Sequence, residues 1–468
     1  MKIKLTFLGA VQSVTGSRYL LEANGSRILV DCGLCQEREC RSRDWEPFPV
    51  RPDSIDAVLI THAHLDHTGY LPKLVKEGFH GNIYCTAATA DITRIILLDS
   101  AKLMEEDAEF KQKRHEREGR KAAHPELPLY TVKDAEAAVT HFAPVDYLKT
   151  IEILKGIDAV FYNAGHVLGS ADIKITVHQD NARRSVLFSG DVGTKGRPII
   201  TDPTQGIDAD YVLVESTYGD RTIPQNGKLL DELAEIINST EKEGGNIVIP
   251  AFALERSQDI LYYINKLLLE DRIPHLMVFL DSPMAVNITE IFEKHSELYD
   301  EEMRRLIEQR KSPFRFVDLK LVKTTDESKA INHIKGTVVI IAGSGMCTGG
   351  RIKHHLVANI TRRESTILFV GYQAAGTLGR LIVDGAERVR ILGDYYPVKA
   401  RIVQLQGLSA HADRTQLLKW LTSLKRPPKR VFVVHGEPAS ARSFAELVAE
   451  KTGWPVSVPD YKSEVILD

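Results

Sequence analysis

Asp56-Ala57-Val58-Leu59-Ile60-Thr61 runs directly into His62-Ala63-His64-Leu65-Asp66-His67, so an apolar strand hands over to a turn crowded with three imidazoles and a carboxylate. A turn this short cannot satisfy so many ring nitrogens by packing. Two divalent cations a few ångström apart need that supply of nitrogen and oxygen donors. Metal chemistry at the carboxyl end of a buried strand is the reading from which the rest follows.

Three more residues have the same character. His166 sits in the glycine-flanked turn Asn163-Ala164-Gly165-His166-Val167-Leu168-Gly169-Ser170, Asp191 closes Ser185-Val186-Leu187-Phe188-Ser189-Gly190, and His435 ends Arg430-Val431-Phe432-Val433-Val434. In each case a β-rich run delivers one candidate ligand at its carboxyl end, where a loop can aim it into a cleft while the strand holds it still. Taken singly each reads as a structural residue; together with the first cluster they do not.

The texture along the chain is that of a split domain with an insertion. Residues 1–210 alternate short β-rich runs with loops, the pattern of one half of an αββα sandwich. From about Tyr218 the pattern becomes strand, glycine turn, helix, repeated after Asn246-Ile247-Val248-Ile249-Pro250, Thr337-Val338-Val339-Ile340-Ile341-Ala342 and Thr366-Ile367-Leu368-Phe369-Val370. That predicts an α/β unit with a parallel sheet over 211–396, after which β-rich texture returns over 397–468 and supplies His411 and His435. A cleft between the two parts is expected. Between Asp99 and Asp146 the charged stretch from Lys102 to Glu118 predicts a solvated helix, and His115, His124 and His141 are left out of the site.

Composition bounds the function. With 468 residues, 43% of them hydrophobic, the chain can bury two cores, and no apolar run approaches a membrane span. The start, Met1-Lys2-Ile3-Lys4-Leu5-Thr6-Phe7, reads as a first strand rather than a secretion signal, so a cytoplasmic protein with no membrane partner is expected. A net charge of -3 excludes a polyanion-coating protein and leaves any grip on nucleic acid to a local groove. Cys32, Cys35 and Cys40 form a CxxC-like cluster without a matching second pair, and with Cys85 and Cys347 they read as inert thiols.

Together these residues resemble the metallo-β-lactamase superfamily, and within it the β-CASP branch of nucleic-acid-cleaving enzymes, most closely the bacterial and archaeal relatives of the cleavage and polyadenylation specificity factor endonuclease. Asp31 in Val30-Asp31-Cys32-Gly33, the His62 to His67 cluster, His166 and Asp191 are features of the superfamily. Glu215 in Val214-Glu215-Ser216-Thr217-Tyr218-Gly219, His411 in Ser409-Ala410-His411-Ala412-Asp413 and His435 in Val434-His435-Gly436-Glu437 resemble the branch's motifs A, B and C. The resemblance runs essentially end to end, and it implies an αββα sandwich with an inserted parallel-sheet β-CASP domain.

It further implies that His62, His64 and His166 hold one zinc, that Asp66, His67 and His435 hold the other, and that Asp191 bridges them. Imidazole and carboxylate without thiolate suit a hydrolytic zinc pair. Asp31 is then an outer acceptor that orients a ligating imidazole. Asp66, Glu215 and His411 are the catalytic candidates: a water activated by the ions attacks a phosphodiester, and His411, with Glu215 fixing its tautomer, gives a proton to the departing ribose oxygen. A histidine at motif C makes the chain look more like the RNA-directed members, so single-stranded RNA is the expected partner. Relatives often pair through the terminal region, and a homodimer is consistent with that.

Two glycine-rich turns belong to the inserted part. Gly343-Ser344-Gly345-Met346-Cys347-Thr348-Gly349-Gly350-Arg351 lacks the Lys-Ser/Thr ending of a nucleotide loop, which argues against ATP and leaves Ser344, Gly345 and Arg351 as candidates for an RNA phosphate. Gly371-Tyr372-Gln373-Ala374-Ala375-Gly376-Thr377-Leu378-Gly379-Arg380 adds Arg380. The competing reading of both is a tight strand-to-helix turn that needs glycine for backbone reasons. Three functions stay open: a zinc-dependent ribonuclease, endonucleolytic or acting 5′ to 3′, which is favoured; a hydrolase of small esters or thioesters; and a non-catalytic RNA-binding partner subunit. Inactive members usually lose ligands, and this chain keeps all of them.

Overall fold

A computed structural model describes residues 2–37, 40–119, 126–223 and 227–468; His124 lies outside the described residues. The chain divides into two units, one of Met1–Gly196, Asp202–Thr222 and Ala410–Asp468, the other of Arg197–Thr201 and Ile223–Ser409. No helix among the described residues is long and apolar enough to cross a membrane.

In the first unit two sheets stack face to face. One runs in the order Glu464–Leu467, Ile3–Phe7, Tyr19–Ala23, Ser26–Val30, Ala57–Leu59, Asn82–Thr86, Phe142–Val145. The other runs Val456–Ser457, Arg430–Val433, Tyr211–Val214, Ala182–Phe188, Ala171–Gln179, Ile157–Asn163, Ile151–Leu154. Successive side chains of a strand point to opposite faces, so each apolar run feeds two layers. Leu5, Phe7, Leu21, Val30 and Leu59 meet Phe161, Ile173, Val186, Phe188, Leu213 and Phe432 between the sheets. The alternate residues Leu20, Leu29, Val58 and Ile83 pack outward on Leu71, Leu74, Leu97 and Ala135 of the flanking helices. On the other side Leu187, Val212, Val431 and Val433 pack on Leu417 and Trp420 of Arg414–Thr422 and on Phe444 and Val448 of Pro438–Thr452. The layers are helix, sheet, sheet, helix. Full burial of an aromatic such as Phe161 stabilises this stack by about 1.5–3 kcal/mol relative to exposure.

The charged stretch at Lys102 is the far half of a longer helix, Ala87–Glu118, capped by the Thr86 hydroxyl on the Thr89 amide. Its first turns are buried as far as Ala101 and its last carry exposed pairs at four-residue spacing, Lys111 with Asp107 and Lys113 with Glu109. The sequence signal marked only where the helix leaves the core. Cys35 and Cys40 are joined as a disulfide, a departure from the reading of all five cysteines as thiols. The loop after Asp31 folds back there, with the Cys35 amide on Asp44 Oδ2 at 2.9 Å. Cys32 and Cys347 are buried free thiols, pushed up to about 12 by burial.

The second unit carries a six-stranded parallel sheet in the order Leu319–Leu321, Met277–Asp281, Val338–Ala342, Ile247–Pro250, Thr366–Val370, Arg401–Leu405. One face is sealed by Ile352 and Leu356 of Ile352–Asn359 and by Ile382 of Leu378–Val383, packed on Val248, Ile340, Ile367 and Phe369. The units part at Thr222/Ile223 and Ser409/Ala410, later than the expected 210/211 and 396/397. Tyr211–Val214 pairs with Ala182–Phe188 and Arg430–Val433 in the sandwich, and Arg401–Leu405 pairs with Thr366–Val370 in the parallel sheet. Both are short apolar strands, and composition does not say which neighbour a strand will choose.

Candidate metal centre

All the strand-end residues singled out in the sandwich come together in the first unit. The strand Ala57–Leu59 lies parallel to Ser26–Val30, so the turns that leave both strands, with Asp31 on one and His62 to His67 on the other, emerge side by side. The two turns are laced together by Cys32 N to His67 O at 2.8 Å and Leu34 N to Leu65 O at 2.9 Å. Gly33 is required there, because a Cβ would sit 1.6 Å from the Asp66 carbonyl oxygen. On the second sheet Tyr211–Val214 and Arg430–Val433 are parallel neighbours and present Glu215 and His435. Asp31 (φ 58°) and His435 (φ 46°) both adopt left-handed backbone, a conformation that side-chain-bearing residues hold only when their surroundings enforce it. For His435 the enforcing contacts are its amide on Ala10 O at 2.7 Å and its carbonyl on the Ser216 amide at 3.0 Å.

The donor atoms fall into two sets. His62 Nε2 is 3.1 Å from His64 Nδ1 and 3.4 Å from Asp191 Oδ2; His166 Nε2 is 3.3 Å from His64 Nδ1 and 3.5 Å from the same carboxylate oxygen. Ligands bonded at about 2.0–2.1 Å to a tetrahedral ion lie roughly 3.3–3.4 Å apart, so these spacings match the edges of one coordination tetrahedron. In the second set His67 Nε2 is 3.2 Å from His435 Nε2 and 3.4 Å from Asp191 Oδ1, with Asp66 Oδ2 at 3.5 Å from His435 Nε2. Asp191 thus turns one oxygen to each set, and its Oδ1 is buried with no hydrogen-bond donor among the described residues. The donor set and the undonated carboxylate oxygen fit a pair of divalent cations.

Electrostatics agree. Among the described residues the ion-pair partners of Asp31, Asp66, Asp191 and Glu215 are all imidazoles, and neither Lys nor Arg supplies their countercharge. Burial depresses the His62 imidazole well below its ordinary range, with His67 adding to the effect. Burial opposes the protonated form of His67 too, but the Asp191 and Asp31 carboxylates outweigh it and hold that ring well above the usual value. Asp191 is itself held well below the carboxylate range, burial being overcome by His435, His67 and His62. Such a buried excess of acceptors is stable only with cationic partners, whether protons on the rings or metal ions between them.

Outside the two sets, Asp31 Oδ2 takes His67 Nδ1 at 2.7 Å and also accepts from the Thr61 hydroxyl at 2.9 Å; its Oδ1 takes the Thr61 amide at 2.8 Å. Two supporting hydroxyls escaped the sequence reading: Thr61 Oγ1 lies 3.1 Å from His62 Nδ1, and Thr217 Oγ1 lies 3.2 Å from His435 Nδ1. Thr61 precedes His62 and Thr217 follows Glu215 by two residues, and position in a strand-end turn was their only signal. Glu215 is wholly buried, with Oε1 taking the Val192 amide at 2.9 Å and His411 Nδ1 at 3.1 Å, and Oε2 taking the Thr217 amide at 3.1 Å. His411 keeps 21% of its side-chain surface exposed, and its ring lies 4.5 Å from that of His166.

The candidates in the second unit have other engagements. Ser344 Oγ accepts the Thr348 and Gly349 amides and closes its own loop. Arg351 is turned inward: Nη1 donates to the fully buried Asp281 at 2.6 Å and Nη2 to the Lys323 carbonyl at 2.8 Å, so that it shares with His355, also 2.6 Å away, the neutralisation of a buried carboxylate. Gly345 lies beneath the Phe252 ring, and Arg380 is an exposed side chain paired with Asp384. His115 and His141, left out of the site, are bonded to Glu126 and to the Gly81 carbonyl.

Comparison with known proteins gives three domain matches: a Metallo-beta-lactamase superfamily domain over residues 20–188, a Beta-Casp domain over 257–382 and a Zn-dependent metallo-hydrolase RNA specificity domain over 395–459. Ribonuclease TTHA0252 of Thermus thermophilus is 38% identical over 447 residues, covering 96% of each chain. Transcription termination factor FttA of Methanocaldococcus jannaschii is 31% identical over 462 residues, covering 95% of this chain and 69% of its own. An RNase J-like protein of the same organism is 29% identical over 98% of each chain. A crystal structure of a protein of unknown function from Enterococcus faecalis V583 shares the fold, with a TM-score of 0.54 at 12% identity over the full length of both.

Proposed function

The chain belongs to the β-CASP branch of the metallo-β-lactamase superfamily and is a hydrolytic enzyme, and on that premise we propose that it is a two-zinc ribonuclease that cleaves single-stranded RNA in RNA processing or decay. The observation that carries the reading is Asp191, one carboxylate oxygen in each of two donor sets. His62, His64 and His166 would hold one ion, Asp66, His67 and His435 the other, with Asp191 common to both. When bound, such a pair lowers the proton affinity of water and neutralises charge on a phosphodiester oxygen.

The chain's own residues do the rest. Asp31, Thr61 and Thr217 take the outward ring nitrogens of His67, His62 and His435, which fixes their tautomers and aims the opposite nitrogens inward. Glu215 is anchored by two backbone amides and takes His411 Nδ1, leaving Nε2 for the substrate. His411 is then the group that gives the departing ribose oxygen its proton. Similarity to a ribonuclease and an RNase J-like protein, and the match to an RNA specificity domain, support RNA as the substrate.

The test combines metal analysis of the purified protein with digestion of end-labelled RNA bearing a 5′-triphosphate or a 5′-monophosphate, and of circular RNA. Metal-dependent cleavage is expected, and cleavage of the circle establishes endonuclease action. Turnover of a thioester with no cleavage of any RNA overturns the reading.

A further inference from the structure

Three strands at the middle of the parallel sheet, Val338–Ala342, Ile247–Pro250 and Thr366–Val370, lie side by side and release loops at their carboxyl ends. In open α/β sheets that edge is where ligands bind. The loop after Ile247–Pro250 carries Phe252 at 48% exposure, and the loop after Thr366–Val370 carries Tyr372 at 51%. Both stand within two residues of strands that are themselves buried.

The loop after Val338–Ala342 touches both. The Phe252 ring lies so close over Gly345 that a Cβ there would be 2.9 Å from Cδ2, while the buried Gln373, next to Tyr372, donates from Nε2 to the Gly345 carbonyl at 3.1 Å. Met346 O takes the Gly379 amide at 3.2 Å, which brings in the start of the helix bearing Arg380. The Arg380 guanidinium pairs with Asp384 in an exposed contact that an incoming anion can replace. Two exposed aromatic side chains on loops tied to the same Gly345 segment, with an exposed Arg on the helix that starts beside it, have the composition of a surface for unpaired nucleotides, where bases stack and a phosphate meets a guanidinium.

We infer that Phe252 and Tyr372 form a stacking platform for the bases of single-stranded RNA, with Arg380 on the backbone phosphate. The inference rests on the ribonuclease reading. Stacking uses the π-face that every base has, so the platform accepts RNA without regard to sequence.

The experiment measures KM and kcat of the zinc-loaded full chain on a short single-stranded RNA, with a ribose-phosphate chain of equal length lacking bases as competitor. Phe252→Ala and Tyr372→Ala are each expected to raise KM roughly tenfold, and Phe252→Trp to restore it. Phe252→Leu keeps an apolar cover on Gly345 without an aromatic face, so a raised KM in that variant separates stacking from loop collapse. The base-free chain is expected to compete poorly with RNA on the wild type and equally on the double alanine variant. Unchanged KM in the variants, or equal competition on the wild type, overturns the platform while leaving the ribonuclease reading intact. So does a shift in sedimentation of the variants at unchanged KM, which assigns the aromatics to a second copy of the chain. A wild type that cleaves no RNA overturns both.

Discussion

Glu215 and His411, 196 residues apart in the chain, meet through Oε1 and Nδ1 at 3.1 Å. The loops that bear them are fastened independently of that contact: Ala412 N donates to Val192 O at 2.8 Å, Thr194 Oγ1 to His411 O at 2.7 Å, and Val192 N to Glu215 at 2.9 Å. The backbone therefore holds the imidazole beside the donor sets, and the carboxylate takes its Nδ1.

Glu215→Gln and His411→Ala are accordingly expected to lower kcat on RNA by about 10²–10⁴, the usual worth of a positioned acid, with little change in KM or bound metal. The loss should shrink on a nitrophenyl phosphodiester, whose leaving group needs no proton. Steady-state kinetics on both substrates check this, and an equal loss on both removes His411 from the role of acid.

Asp31 acts through His67, whose Nδ1 it takes at 2.7 Å. Removing an outer acceptor of this kind weakens metal binding by about 10–100-fold. Asp31→Ala should therefore retain the fold, bind zinc more weakly in competition with a chelator, and recover activity at high zinc. Failure of added zinc to restore any activity would mean that the carboxylate does something other than aim the ring.

Asp172 gives a pH signature unconnected with the donor sets. Its carboxyl is fully buried, and burial holds it well above the ordinary aspartate range, with the Trp420 indole opposing. Below the ordinary range both folded and unfolded chains are protonated. Above it the unfolded chain releases the proton while the folded chain keeps it, so stability falls as pH rises, until the raised pKa of the folded state is passed. Asp172→Asn should remove that fall. Melting curves from about pH 4 to about pH 8 are expected to show the variant gaining on the wild type with pH; parallel curves would contradict the account.

Much of this was legible in the sequence because the sandwich places candidate ligands at the ends of apolar strands, where a run such as Val58-Leu59-Ile60-Thr61 stops abruptly at polar residues. The meeting of His62, His166, Asp191 and His435 could be anticipated from that regularity and from the resemblance it supports. Pairing between distant strands could not, which is why the unit boundaries differ from those expected at Tyr211–Val214 and Arg401–Leu405. Arg351 shows the same limit: nothing near it in sequence announces Asp281, the buried carboxylate it helps to neutralise. Thr61 and Thr217 were invisible because a hydroxyl in a turn has many uses, and only the imidazole beside it reveals which one applies.

Asp191 turns one oxygen to each donor set, and the proposed hydrolysis of RNA depends on the centre it joins. The most direct measurement compares zinc content and RNA cleavage of the wild type and Asp191→Ala, each before chelation, after it, and after zinc is returned. The wild type is expected to hold two zinc ions per chain, to lose cleavage on chelation and to regain it with zinc, while Asp191→Ala binds less zinc and stays inactive throughout. Cleavage by Asp191→Ala at the wild-type rate, or wild-type cleavage that survives complete removal of metal, would contradict it.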